Sequence, residues 1–481
     1  MLSTAMLAMV LGAAHAEEPV QPVAPAPETT TDAPAKSEAA TEVTIPFEEY
    51  DLENGMHVIL SPDKSVPYVW VNIWYRVGAK DEVEGRSGFA HLFEHLMFQG
   101  SEHRDDEYFA PLQKIGAVIN GTTNWDRTNY FEGVPSEQLP LALFMESDRM
   151  GWLLPALTEE KLSNQKLVVR NERRQSYENR PYGMVWKWLA EALFEEGHPY
   201  HIPTIGRHED IDAASLDDVK AFFKQWYVPS NASLTICGDY DVDEAKALVE
   251  KYFGHVPAGP TPSPIVEATA SLTEEKVVRH TDDVPHHKVW LAWHTPALYK
   301  PGDADLDVLS GILSAGKDSR LYSKLVHDLK VAKSIEAYQI SNLLSSFYVI
   351  EATASPGKTT DELVTEIDRV MADLVKDGPT DEETNISKLN IEAGFYRDLG
   401  SISRKANQLN QYYIQTGNTG YIQTDLARYQ EVTPGSVHRA QETWLATKNR
   451  VVLHVTPEEK APEPAAKTDD SKTDDSKKEE K

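Results

Sequence analysis

Two distant stretches of this chain follow the same order of segments. Val66-Pro67 leads into the β-rich run Tyr68 to Tyr75, then a polar loop and a helix-like stretch from Gly88 to Phe98. Val284-Pro285 leads into Lys288 to Trp293, then a loop, an apolar helix-like stretch from Leu306 to Leu313 and a glycine. A recurring order of this kind predicts two similar halves. Between them lies Gly259-Pro260-Thr261-Pro262-Ser263-Pro264, which can sustain neither helix nor sheet, so the boundary belongs there. At 481 residues the chain is long enough for each half to bury its own core.

Within the halves, β-rich runs such as Ala232 to Cys237 and Phe347 to Ala354 alternate with helical patterns such as Leu216 to Tyr227 and Thr360 to Val375. The expected class is α+β, with helices packed on a sheet in each half. We place one domain at 43–258, a linker at 259–274 and a second domain of similar fold at 275–456. Periodicity alone does not give the strand directions.

The ends read differently. Residues 1–16 carry the apolar run Met6 to Leu11 and close on Ala14-His15-Ala16, the small-x-small pattern of a signal peptidase site, although no Lys or Arg precedes the run. Export to the periplasm or out of the cell is therefore expected. No other segment is long and apolar enough to span a membrane, so no integral membrane segment is expected in the mature chain. Residues 17–42, rich in Ala, Pro, Thr and Glu, and residues 457–481, which repeat Lys-Thr-Asp-Asp-Ser, read as disordered tethers. Of the net charge of −29, −5 sits on 17–42 and −3 on 457–481, which leaves −21 on the body. A body that acidic argues against nucleic acid as a partner. With Cys237 the sole cysteine, no internal disulfide can form, and its apolar surroundings suggest a buried, inert thiol.

Between Gly88 and Phe98, the apolar residues Phe89, Leu92, Phe93, Leu96 and Met97 recur at helical spacing and form one stripe. His91, Glu94 and His95 then share the opposite arc. Two imidazoles one turn apart can hold one small cation, and a carboxylate beside them can take a proton from water and pass it to a leaving amine. His-x-x-Glu-His is the inverted zinc-peptidase pattern. Downstream, Thr158-Glu159-Glu160 opens a helical run that places Gln165, Val169 and Glu172 along one face, with 76 residues between His95 and Glu172. In isolation Glu172 reads as a solvated helix acid.

Together these segments resemble the insulinase/pitrilysin family of zinc metallopeptidases, including its bacterial processing-peptidase-like members. The likeness rests on His91-Leu92-Phe93-Glu94-His95 and on Val169-Arg170-Asn171-Glu172-Arg173-Arg174 at that distance. It continues through Gly116 to Asn120 with Asp126 to Tyr130, His198-Pro199-Tyr200, Tyr227 to Ala232 and Ser319-Arg320-Leu321, and so covers roughly 43–456. The resemblance implies two similar α+β domains, each a mainly antiparallel sheet with helices packed on it. It implies one Zn²⁺ per chain held by His91, His95 and Glu172, with Glu94 as the catalytic base. It further implies that Asn120, Gly121, Thr122 and Thr123 form an edge strand to which a peptide substrate adds by backbone hydrogen bonds. Peptides in this family are enclosed between two such two-domain units, which implies a homodimer or a heterodimer with a related subunit.

Two positions depart from the family pattern. Gln165 stands seven residues before Glu172, where a second glutamate is common; its amide oxygen can still accept an imidazole N–H and orient a ligand, without adding charge. In the second half, Val326 and Lys333 stand where an arginine and a tyrosine commonly help hold substrate. The expected activity is metalloendopeptidase hydrolysis of peptides or unfolded segments. The alternative is a catalytically weak member that serves as a binding or assembly subunit of a peptidase complex.

Overall fold

A computed structural model of the chain describes residues 43–458 apart from 106–107, 264, 266–267 and 269. The expected signal (1–16), the linker 17–42 and nearly all of the tail 457–481 lie outside the described residues, as does part of the linker 259–274.

Six strands form the first sheet: β1 (Glu48–Asp51), β2 (His57–Pro62), β3 (Tyr68–Tyr75), β4 (Val118–Thr123), β5 (Thr128–Pro135) and β6 (Ala232–Gly238), in the order β1-β2-β6-β3-β5-β4. Five form the second: β7 (Lys276–Asp282), β8 (Lys288–Thr295), β9 (Ala332–Ile340), β10 (Ser346–Ala354) and β11 (Val451–Pro457), in the order β7-β11-β8-β10-β9. In each sheet one pair is parallel, β2 with β6 and β7 with β11, and every other pair is antiparallel. Apart from β1, the two sheets follow the same path. The architecture is thus α+β with mainly antiparallel sheets, and the recurring segment order marks a recurring topology.

The central strands are apolar on both faces. In β3, Val69, Val71, Ile73 and Tyr75 enter one core, while Trp70, Asn72 and Trp74 occupy the other face. That pattern requires cover on both sides, and each half supplies a helix to the other. The helix Ile402–Thr416, late in the chain, lies against β6 and β3: Asn410 Nδ2 donates to the Asn72 carbonyl (2.8 Å) and its Oδ1 accepts from Ser233 Oγ (2.7 Å). Conversely, Val185, Leu189 and Leu193 of the helix Val185–Leu193 pack on Trp290, Ala292, Val349 and Leu453 of the second sheet. Burial of each such side chain contributes about 2 kcal/mol. Cys237 is fully buried in β6, and burial pushes its thiol up to about 11.

Among the described residues no helix is long and apolar enough to cross a membrane.

Candidate metal centre

The helix expected from Gly88 to Phe98 runs from Phe89 to Leu96. Phe89, Leu92, Phe93 and Leu96 are buried in the first core, which fixes the helix rotation and turns His91, Glu94 and His95 the other way. Its start is locked by three contacts. Gly88 adopts φ +86°, and a Cβ there would stand 2.8 Å from Ile211 Cδ1 and 2.9 Å from the Ile205 carbonyl, so only glycine fits. The Glu82 carboxyl accepts from the amides of Gly88 and Ala90, both at 2.8 Å, and satisfies two of the free donors at the helix N-terminus. Burial pushes the Glu82 carboxyl up to about 8, against the opposing effect of those two hydrogen bonds. Asp210 accepts from the amide and hydroxyl of Ser87 at 3.1 and 2.5 Å.

Glu172 arrives on the helix Glu159–Arg173, capped by Thr158, whose side chain accepts from the Lys161 amide. Leu162, Gln165 and Val169 form its buried face. Immediately after Glu172 the backbone widens into a π-helical turn, Arg174–Glu178, a feature that often sits at functional sites. Helical backbone thus continues to Glu178, which bonds His208 Nε2 at 2.9 Å.

These two helices bring three side chains together. His95 Nε2 stands 3.1 Å from Glu172 Oε2, and His91 Nε2 stands 3.6 Å from Glu172 Oε1. The two imidazole Nε2 atoms are 3.4 Å apart. Ligand atoms at the vertices of a tetrahedron around zinc, each about 2.05 Å from the ion, are separated by about 3.3 Å. The donor atoms thus already have the spacing such an ion requires, and two imidazoles with one carboxylate are a donor set characteristic of hydrolytic zinc. Among the described residues it is the one group of three or more His, Cys, Asp or Glu side chains able to share an ion.

The electrostatics suit a cation. Burial lowers the pKa of His91, against the opposing charges of Glu172 and Glu94, which favours the neutral ring that a metal needs. Burial also disfavours charge on His95, but the hydrogen bond and charge of Glu172 outweigh it and raise its pKa. For Glu172, burial is outweighed by the His95 hydrogen bond and the two imidazoles, which lower its pKa.

Gln165 is buried on the Glu172 helix, but the expected bond to a ligand ring is not made to His91, whose Nδ1 has no hydrogen-bond partner. Two helical turns, about 10 Å of rise, separate Gln165 from Glu172. Asn120, Gly121, Thr122 and Thr123 fall in β4, which pairs only with β5 and is the free edge of the first sheet. The strand passes directly over Glu94: a Cβ on Gly121 would stand 3.1 Å from Glu94 Cγ and 3.0 Å from the Tyr130 ring. The Asn120 side chain accepts from the Gly121 amide at 2.9 Å, and Thr122 Oγ1 bonds Asn129 Oδ1 at 2.5 Å. Arg127 donates to the Thr122 carbonyl at 2.8 Å and lies over the Trp74 ring. Burial lowers Arg127 to about 10, against the charges of Glu94 and Asp126.

Among the described residues, the second half holds no comparable group of metal-ligating side chains. Gly302, like Gly88, precedes its helix with a left-handed φ, +97°. Counted from the two glycines, His91, Glu94 and His95 correspond to Asp305, Val308 and Leu309, and the last two are fully buried in the second core. Val326 packs against that core, and Lys333 Nζ lies 3.1 Å from His286 Nε2.

Sequence reasoning missed Glu82, Arg127 and the closeness of Gly121 to Glu94. Glu82 lies in a non-periodic loop and gives no signal; Gly121, a glycine inside a strand pattern, is a sign of close approach that was there to read.

Comparison with known proteins gives two successive family matches, the second beginning before the 259–274 linker. Residues 57–205 match the family model described as insulinase (peptidase family M16), and residues 213–391 match the one described as the peptidase M16 inactive domain. The chain is 29% identical over 378 residues to the zinc protease PqqE of Helicobacter pylori, covering 78% of this chain and 84% of that one. It is 25% identical over 370 residues to the uncharacterized zinc protease YmxG of Bacillus subtilis, covering 75% and 87%. A solved protease from Helicobacter pylori superposes with TM-score 0.79 at 27% identity, covering 86% of this chain and all of that one. A peptidase M16 inactive domain from Pseudomonas fluorescens shares the fold with TM-score 0.77 at 17% identity, covering 86% and 98%.

Proposed function

We propose, for a chain that belongs to the insulinase family (peptidase family M16), that it is an exported zinc metalloendopeptidase acting on peptides or unfolded segments. The observation that carries this reading is the spacing of His91, His95 and Glu172, at 3.1 to 3.6 Å between donor atoms, beside Glu94 and beneath the free edge of β4. When bound, zinc would polarise the scissile carbonyl and lower the pKa of an attacking water. The chain's own residues do the rest. His91, His95 and Glu172 hold the ion, and the lowered pKa of both His91 and Glu172 keeps that ring neutral and the carboxylate charged. Glu94 accepts the proton of the attacking water and returns it to the leaving nitrogen. Strand β4 orients the substrate by pairing with its backbone, which only an extended peptide can offer. In this reading 43–258 is the catalytic domain and 275–456 the non-catalytic one, and a second two-domain unit, identical or related, completes the enclosure.

The alternative, a binding or assembly subunit with weak catalysis, draws on Val326 and Lys333, neither of which supplies the usual substrate-holding groups. One experiment separates the two: remove metal with a chelator, restore it with zinc, and compare cleavage of a peptide library, of an unfolded protein and of the same protein folded. The expected result is zinc-dependent cleavage of the first two only. Zinc-loaded protein that binds peptides without cutting any supports the alternative.

A further inference from the structure

The tip of the β4–β5 hairpin is gripped from three sides. From the loop after β3, the amides of Ala79 and Lys80 donate to the carbonyls of Asn124 and Trp125 at 3.1 and 2.9 Å. Gly78 comes so near that a Cβ would lie 2.4 Å from the Trp125 oxygen. From the segment that follows the helix Val185–Leu193, the Tyr200 ring stacks on Trp125 at 5.0 Å, and the indole N–H donates to the Ile202 carbonyl at 2.9 Å. The third side belongs to the second half. Asp126 Oδ2 accepts from the amide of Leu343, in the turn between β9 and β10, at 3.0 Å. Asp126 Oδ1 accepts from the Tyr200 hydroxyl at 2.5 Å, and that hydroxyl accepts from the Leu344 amide at 3.0 Å. Asp126 and Tyr200 are buried; the bonds through the Tyr200 hydroxyl form away from water, and the Leu343 bond is part-buried.

The residues on the β4 side of this tip are Asn120 to Thr123, the strand that runs over Glu94. The Asn124 amide donates to the Arg127 carbonyl, which closes the hairpin over only two residues, so displacement of the tip passes straight into β4. An edge strand is held along one side alone, and its placement depends on its anchored end.

We propose that Asp126 is a positioning residue: through Leu343 and Tyr200 it ties the tip of the β4–β5 hairpin to the second half, so that docking of that half sets the substrate-receiving edge over Glu94. The structural part of this inference stands alone; its consequence for substrate rests on the peptidase reading. The chemistry favours a carboxylate. Two donors converge on it, one on each oxygen, and an amide in its place would turn an NH₂ group toward one of them.

The test uses the full chain loaded with zinc. Asp126→Asn is compared with the parent and with Lys405→Gln, which breaks an ion pair to Asp63 that joins the halves elsewhere. The readouts are hydrogen exchange of the peptide covering 118–131, and kcat and KM on an unfolded-peptide substrate. Asp126→Asn is expected to speed exchange in that peptide about ten-fold, the factor for loss of one charge-assisted hydrogen bond. KM should rise about as much, with kcat within about two-fold and zinc content unchanged, whereas Lys405→Gln should leave hairpin exchange as in the parent. Unchanged hairpin exchange in Asp126→Asn, or equal acceleration in Lys405→Gln, overturns the proposal. Should Asp126→Asn fail to fold, Tyr200→Phe removes a single hydroxyl from the same network and is read in the same way. A zinc-loaded parent that cleaves nothing would sink the peptidase reading, and the exchange comparison would still decide the latch.

Discussion

Replacement of Gly121 by alanine tests how closely the substrate strand and the proposed base are fitted. The added Cβ would lie 3.0 Å from Tyr130 Cδ1 and 3.1 Å from Glu94 Cγ, against about 3.4 Å for the closest ordinary contacts. Tyr130 is fully buried, and its hydroxyl donates to the Phe93 carbonyl at 3.3 Å, so it cannot retreat. Glu94 is half-buried and can, or the strand can lift; either way a shift of about 0.3–0.4 Å is required. Misplacement by 1 Å costs about 100-fold in rate, so this shift should lower kcat about five-fold. The three metal ligands are not among the atoms the new Cβ meets, and zinc affinity should stay that of the parent. The assay is kcat and KM on an unfolded-peptide substrate together with a zinc titration. Gly394→Ala serves as control, since its Cβ meets nothing nearer than Arg397 Nη2 at 3.8 Å. Unchanged kcat in Gly121→Ala, or a fall in zinc affinity alongside kcat, would refute the reasoning.

Glu172→Ala removes the carboxylate 3.1 Å from His95 Nε2 and should weaken zinc binding at least ten-fold, with activity partly recovered in excess zinc; Glu178→Ala, whose partners are His208 and Arg173, should do neither. His294 should give the fold an acid sensitivity. Burial lowers it to about 4, and its Nε2 bonds the Leu193 carbonyl at 2.8 Å, where the helix from the first half covers the second sheet. The unfolded chain, with a histidine pKa near 6.5, binds the proton more readily than the folded one. Stability should therefore fall as pH drops from about 6.5 toward 4, by up to about 3 kcal/mol from this group. Thermal melts of His294→Gln should show a flatter decline over that window, and an equally steep one would contradict the assignment.

The parts of the molecule that could be read from the sequence are those with local periodicity. The stripe Phe89, Leu92, Phe93, Leu96 gave the rotation of the His91 helix, and the aromatic and β-branched run Tyr68 to Tyr75 coincides with β3. The doubled segment order anticipated two sheets of one topology. What escaped lies in contacts between residues far apart in the chain. That the helix Val185–Leu193 covers the second sheet and the helix Ile402–Thr416 the first depends on which apolar faces meet, and each helix looks the same wherever it docks. Glu82 caps a helix from six residues before Gly88 through an irregular loop, which no spacing rule reveals.

The most direct test of the central claim is Glu94→Gln, with bound zinc and peptide hydrolysis measured on one preparation of the full chain. The substitution leaves His91, His95 and Glu172 untouched and deletes only the proton acceptor. The account predicts one zinc per chain in both proteins and hydrolysis lowered by about 10²- to 10⁴-fold in the variant. Near-parental turnover in zinc-loaded Glu94→Gln would contradict it.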